Sequence, residues 1–284
     1  MIYQSRRNFI QLTGLSLAAI PLIGLSNPLK GKKTLPSINA LTEKLSLGLA
    51  SYTTRNFTLT QTIEMTKRLD LKKITLKDIH LPLKSTNEEI AKAVAEIKAA
   101  GIDLYGVGVV YMTSEEEVNH AFEYAKAAGV KMIIGVPEHK FLPLAEQKVK
   151  EYNIALAIHN HGPEDRRFPS PQSVYEKINK LDSRIGMCLD IGHTMRLGID
   201  PSDPMEKYFE RIMDIHIKDE SLAGPKGTTV EIGRGVINIP KFVKTLVRLN
   251  YKGNVAFEFE KDEENPLPGL SESVGFIRGI LSVI

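Results

Sequence analysis

Eight apolar, β-rich runs alternate with charged amphipathic stretches along most of the chain. The runs are LSLGLASY (45–52), LKKITLK (71–77), IDLYGVGVV (102–110), VKMIIGVP (130–137), IALAIHNH (154–161), IGMCLDIGH (185–193), DIHIKD (214–219) and GNVAFEFE (253–260). The stretches between them carry helix signals. STNEEIAKAVAEIKAAG (85–101) opens on a Ser/Thr/Asn cap with Glu88 and Glu89 in its first turn and closes on Gly101. TSEEEVNHAFEYAKAAG (113–129) repeats that start and stop. Eight β-then-α units predict a (β/α)8 TIM barrel, a single α/β domain over residues 44–284, because parallel strands with right-handed helical crossovers close at that count. The alternative is an open doubly wound sheet.

Ahead of the first strand the pattern changes. Residues 1–33 place Arg6 and Arg7 before Phe9 and an uncharged, mildly apolar run from Ile10 to Leu25. This is the layout of a secretory signal, and the order Ser-Arg-Arg-Asn-Phe-Ile resembles a twin-arginine export signal. The expectation is an exported, periplasmic protein that uses the twin-arginine machinery. Retention at the membrane by an uncleaved signal is the alternative, since no clean small-x-small cleavage site follows.

Composition adds little to the fold and something to the partners. A chain of 284 residues that is 42% hydrophobic can bury a sizeable core. The formal charge of +3 falls to −2 without residues 1–33, which hold five Lys or Arg and no acid. The apparent basicity therefore belongs to the signal, and nucleic acid is not an expected partner. Cys188 is the only cysteine, so no internal disulfide forms, and its apolar setting reads as a small buried hydrophobe. A homo-oligomer stays open.

The residues that break the apolar pattern fall near strand C-terminal ends, where such a barrel does its chemistry. His159 and His161 share a face of the fifth run, Asp190 interrupts the sixth, His216 and Lys218 share a face of the seventh, and Glu258 and Glu260 alternate with Phe257 and Phe259 in the eighth. An isolated polar residue in a strand is ordinarily a satisfied core or rim residue. Four consecutive strands with the same departure need a cation or a dense hydrogen-bond network, because uncompensated buried charges cost several kcal/mol each. A divalent ion held by His159, Asp190, His216 and Glu258 meets that need, and the N/O donor set suits manganese, cobalt, zinc or iron better than calcium.

The motifs LDIGHT (189–194), HIKD (216–219), EIGRGVI (231–237) and FEFE (257–260) resemble those of the sugar isomerase and epimerase superfamily with the xylose-isomerase-like barrel. The resemblance runs from about Leu45 to the C-terminus. It implies that Asp190, His216 and Glu258 are metal ligands and that His193 meets a substrate hydroxyl. Family members commonly carry a Glu where this chain has His159. In the keto-sugar epimerases that Glu binds metal and pairs with the final Glu as a base on the opposite sugar face. Histidine can take the first role, but an imidazole whose lone pair is on a metal has no basic nitrogen left for the second.

The chemistry implied is proton removal beside the carbonyl of an unphosphorylated keto-sugar, through an enediolate, by a metal-dependent isomerase or epimerase. Glu258, Lys218 and His193 are the expected catalytic residues, with Lys218 either a base of depressed pKa or a cation. His161, His193, Arg234, Glu260, Lys77 and His80 are expected at the carbohydrate substrate, while Glu138 and His139 are placed at the rim. The nearest rival is a β-eliminating lyase acting on 3-keto glycosides by the same first step. A non-catalytic sugar-binding barrel and a three-zinc DNA-repair endonuclease are the remoter readings.

Overall fold

Each apolar run becomes one strand of a closed ring. The computed structural model describes residues 44–284, so the expected export signal lies outside the described residues. The strands are β1 (Ser46–Ala50), β2 (Lys73–Leu76), β3 (Asp103–Met112), β4 (Met132–Pro137), β5 (Ala155–His159), β6 (Ile185–Asp190), β7 (Ile212–Ile217) and β8 (Asn254–Phe257). All pair in parallel with their sequence neighbours, and β1 pairs with β8 through Ser46 opposite Asn254 to Leu49 opposite Phe257. Closure leaves no sheet edge and rules out the open doubly wound sheet.

The helices follow their local signals. Thr86 caps α1 (Asn87–Ala99) in a reciprocal box with Glu89, which satisfies donors that a helix start leaves open. Ser114 caps α2 (Glu115–Ala127) by accepting from the Glu117 amide. Gly101 and Gly129 follow these helices at positive φ, the backbone that glycine adopts without strain. Their inward faces pack on a continuous core that includes Ile97, Val107, Phe122, Ile133 and Leu156. Among the described residues no helix is long and apolar enough to cross a membrane.

The strand boundaries differ from expectation at the C-terminal ends. β6 stops at Asp190, and Ile191–Met195 turns into a short helix whose first amides the Asp190 side chain caps, accepting from His193 N at 2.7 Å. β7 begins at Ile212 and ends at Ile217; Asp219–Glu220 then pairs antiparallel with Thr229–Val230 in a small ribbon. β8 ends at Phe257, so Glu258 and Glu260 lie just beyond it. In each case polar side chains at the barrel mouth bond to backbone and end the ladder.

Candidate active site

The pleat carries the polar residues inward at one end. Register places His159 beside Cys188 and Asp190 beside His216, and Glu258 follows the residue that pairs with Ile217. His159, Asp190, His216 and Glu258 are all buried, and each offers a ligand atom such that these atoms lie within 4.8 Å of one another. Thr53, just past β1, fixes the last member: its hydroxyl donates to Phe257 O at 3.2 Å and accepts from Phe259 N at 2.9 Å, bracketing Glu258.

The cluster is polar yet internally unsatisfied. Both ring nitrogens of His159, both of His216 and Oδ2 of Asp190 lack a hydrogen-bond partner, although His216 Nδ1 lies 3.1 Å from Glu258 Oε2 and His159 Nε2 lies 3.4 Å from Asp190 Oδ2. Buried polar atoms of this kind are rare without an ion or water. Lys218 supplies one positive charge, its Nζ 3.0 Å from Asp190 Oδ2 and 2.6 Å from Glu258 Oε2, and it also pairs with Glu260. With His216 neutral, as a metal ligand must be, three carboxylates against one ammonium leave two negative charges, which a divalent ion would neutralise. Two imidazoles and two carboxylates around a point form a donor set that fits such an ion.

Protonation follows from these neighbours. Burial lowers the His159 pKa to about 3 against the pull of Asp190, so its imidazole is neutral. Burial also opposes charge on His216, but Glu258, Asp214 and Asp190 outweigh it and raise that group to about 9. Asp190 and Glu258 are penalised by burial too, yet nearby cations hold both carboxyls well below the ordinary range. Burial works against the Lys218 ammonium, and Asp190, Glu258 and Glu260 more than offset it. Lys218 is therefore a cation in this metal-free arrangement, the second of the two roles expected for it.

Above the cluster lies a cavity of about 240 Å³. His159, His161 and His193 form one wall, with ring centroids 4.7 Å apart for His159 and His161 and 5.1 Å for His161 and His193. Glu258 and Glu260 face in from β8, and Tyr52, Lys77, Val109 and Tyr111 complete the lining. Burial lowers the His193 pKa.

Two residues expected at the substrate lie elsewhere. His80 is buried outside the cavity, within hydrogen-bond distance of Ser51 Oγ, Thr62 Oγ1 and Thr54 O, where it ties the segment after β1 to the following helix. Arg234 forms a two-pronged pair with Glu272 of the last helix at 2.6 and 2.7 Å, so it is not a clamp over the cavity. Tyr52 and Tyr111 were not singled out in the sequence; an aromatic at a strand end reads as core, yet Tyr111 is 40% exposed.

Two further buried acids, Asp214 and Glu220, lie beside the cluster. Asp214 sits one layer below His216 on the same face, with Oδ2 3.8 Å from His216 Nε2 and 3.5 Å from Tyr105 OH and Cys188 Sγ; burial raises it to about 6. Glu220 lies under the ribbon against Gly192, where an added Cβ would meet Lys218 Cδ at 2.5 Å and Glu220 Oε1 at 2.7 Å. That glycine lets the short helix rest on the Lys218 stem. Burial raises Glu220 to about 7, with Lys218 pulling the other way. A raised folded-state pKa gives stability that is complete at low pH and lost as pH rises through about 7. Glu220→Gln removes that loss, so its melting temperature is expected to gain on the wild type progressively from about pH 4.5 to about pH 7 and to hold that gain at higher pH. Parallel melting curves from pH 5 to 9 would show instead that the carboxylate is fully compensated.

A closed parallel barrel with a polar cluster at its C-terminal mouth is the framework of the Xylose isomerase-like TIM barrel family, which matches residues 58–280; the chain belongs to that family. Among particular relatives, an inosose dehydratase of Clostridium botulinum (strain Eklund 17B / Type B) is 30% identical over 114 residues, covering 32% of this chain and 38% of that protein. The chain spans half or less of the length of the curated relatives it matches. The structure of the IolI protein with a zinc atom superposes with a TM-score of 0.70 at 16% identity, covering 84% of this chain and 98% of that one. That of 3-keto-D-glucoside 4-epimerase from E. coli does so with a TM-score of 0.65 at 13% identity, covering 83% and 99%. At such identities the two structures share the fold.

Proposed function

We propose that this chain is a divalent-metal-dependent enzyme that removes a proton next to the carbonyl of an unphosphorylated keto-sugar, as an isomerase or epimerase. The observation that carries the reading is the fully buried, internally unsatisfied set His159, Asp190, His216 and Glu258 at the floor of a sugar-sized cavity. The names of the relatives, a dehydratase and a keto-glucoside epimerase, support the same chemical class, and the zinc of the IolI structure supports a metal there.

The divalent ion, when bound, supplies electrostatic stabilisation of the negative charge that develops on substrate oxygens. The protein does the rest. His159 enters as a neutral imidazole donor, and ionised Asp190 and Glu258 complete the set with His216. Glu258 and Glu260 are the carboxylates that face the cavity, so one of them takes the C–H proton while the electron pair moves onto the carbonyl oxygen. Lys218 holds both acids in place and remains a proton donor to a substrate oxygen. The imidazoles of His193 and His161, on the opposite wall, relay a proton from solvent to carbon from the other side.

The second reading is a β-eliminating lyase on 3-keto glycosides. It is favoured by histidine at position 159, which removes the second carboxylate that a two-base epimerase uses. Here the electron pair left by the C2 proton expels the C1 substituent, which takes a proton from an imidazole on the facing wall. Incubation of metal-loaded protein with free ketoses and 3-keto glycosides in D2O decides. Deuterium at the carbon beside the carbonyl, dependent on metal, is the result expected. Aglycone release without water uptake selects the lyase, and no exchange on any of these substrates overturns both.

The proposal includes export to the periplasm, supported by Arg6, Arg7 and the uncharged run that follows. Replacing Arg6 and Arg7 by Lys is expected to leave the protein in the cytoplasm on cell fractionation; unchanged periplasmic recovery would refute twin-arginine transport.

A further inference from the structure

The cavity above the cluster, about 240 Å³, is smaller than the ~300 Å³ at the low end of pockets that hold drug-sized ligands. It accommodates one sugar ring. Beside it, on the loops that follow β4 and β5, opens a second and larger groove of about 600 Å³ that includes Glu138, Lys140, Glu164, Arg166 and Arg167. Tyr111 links the two. It lines the inner cavity and contacts His161 there, with ring centroids 5.9 Å apart, while the guanidinium of Arg167, from the outer groove, sits 5.8 Å over its ring.

The outer groove is built rather than incidental. Asp165 Oδ1 accepts from Arg167 N at 2.6 Å and Phe168 N at 2.8 Å, and the backbone returns on itself through His161 N to Phe168 O at 2.9 Å. His139 Nε2 lies 2.9 Å from Arg167 O, and Arg196 pins Glu164 at 2.5 Å. A loop whose backbone is held this firmly needs no backbone reordering on binding.

Its chemistry selects the occupant. Three acids and three bases line it, so no net field favours a phosphate or a nucleic acid. Carboxylates that accept and guanidinium groups that donate, set side by side, match vicinal hydroxyls, which do both. We infer that the outer groove is a subsite for a second sugar residue, so that the substrate is a disaccharide-like glycoside with its reacting ring in the inner cavity. The inference rests on the proposed function for the identity of the inner ring.

Calorimetric titration of manganese-loaded protein with cellobiose, maltose, lactose and trehalose, against methyl β-glucoside and glucose, tests it without turnover. At least one disaccharide is expected to bind about tenfold or more tightly than the single-ring ligands, as charge-assisted hydrogen bonds would give. Arg166→Ala is expected to remove most of that preference, and Glu138→Gln to reduce it, with melting temperatures unchanged. Equal affinity for one and two rings, or a preference that survives both substitutions, overturns the subsite. The two readings fail separately: deuterium exchange on free ketoses without disaccharide preference sinks the groove alone, and disaccharide preference without exchange on any keto-sugar sinks the proposed reaction alone.

Discussion

His159→Ala is expected to lower the affinity for a divalent ion by at least about 100-fold, the upper end of what losing a mere outer-shell partner costs. The residue is buried beside Asp190 and His216, and nothing else from β5 reaches the cluster to replace its nitrogen. His159→Glu should behave differently. A carboxylate of similar reach restores an oxygen donor and adds a second base, so metal binding is retained within about tenfold while the product distribution changes. Calorimetry with Mn, Co and Zn reads the first effect, and product analysis in D2O reads the second. Undiminished metal binding by His159→Ala would remove His159 from the ligand set.

Lys218→Met carries the other large effect. In metal-free protein the ammonium is the cation closest to Asp190 and Glu258. Its removal leaves buried carboxylates opposed only by histidines, a loss of roughly 3–5 kcal/mol for one broken buried pair. For a domain of this size that is a fall in melting temperature on the order of 10 °C. Methionine keeps most of the stem volume against Gly192, which separates charge from packing. Saturating divalent metal should then recover more stability in the variant than it adds to the wild type, because it neutralises carboxylates that have lost their lysine. Equal melting temperatures without metal would mean that Asp190 and Glu258 are already neutral.

The eight strands and the caps at Thr86 and Ser114 were legible because their signals are local: an apolar run, a capping residue, a glycine after the last turn. The convergence of His159, Asp190, His216 and Glu258 was legible because the barrel fixes which strand ends meet. What escaped depends on partners distant in sequence. His80 resembles a mouth residue until Ser51 and Thr62 are beside it, and Arg234 resembles a clamp until Glu272, from the last helix, takes both prongs of its guanidinium. Lys218 reads as a base of lowered pKa if burial alone is counted, and three carboxylates drawn from β6 and the segment after β8 reverse that. Tyr111 reads as core because periodicity marks the face of a strand and not where its last residues emerge.

The Thr53 clasp joins residues 204 and 206 positions apart in the chain. During synthesis the first strand is made long before the last, and N-terminal segments start to fold first. Between synthesis of His216 and synthesis of Glu258 the growing chain therefore holds three prospective donors and no fourth. Glu258 takes its place only when the final strand docks against the first and Thr53 closes on either side of it. In the proposed metal enzyme, capture by all four donors would thus follow ring closure, and a tightly held ion would mark a barrel that has finished folding.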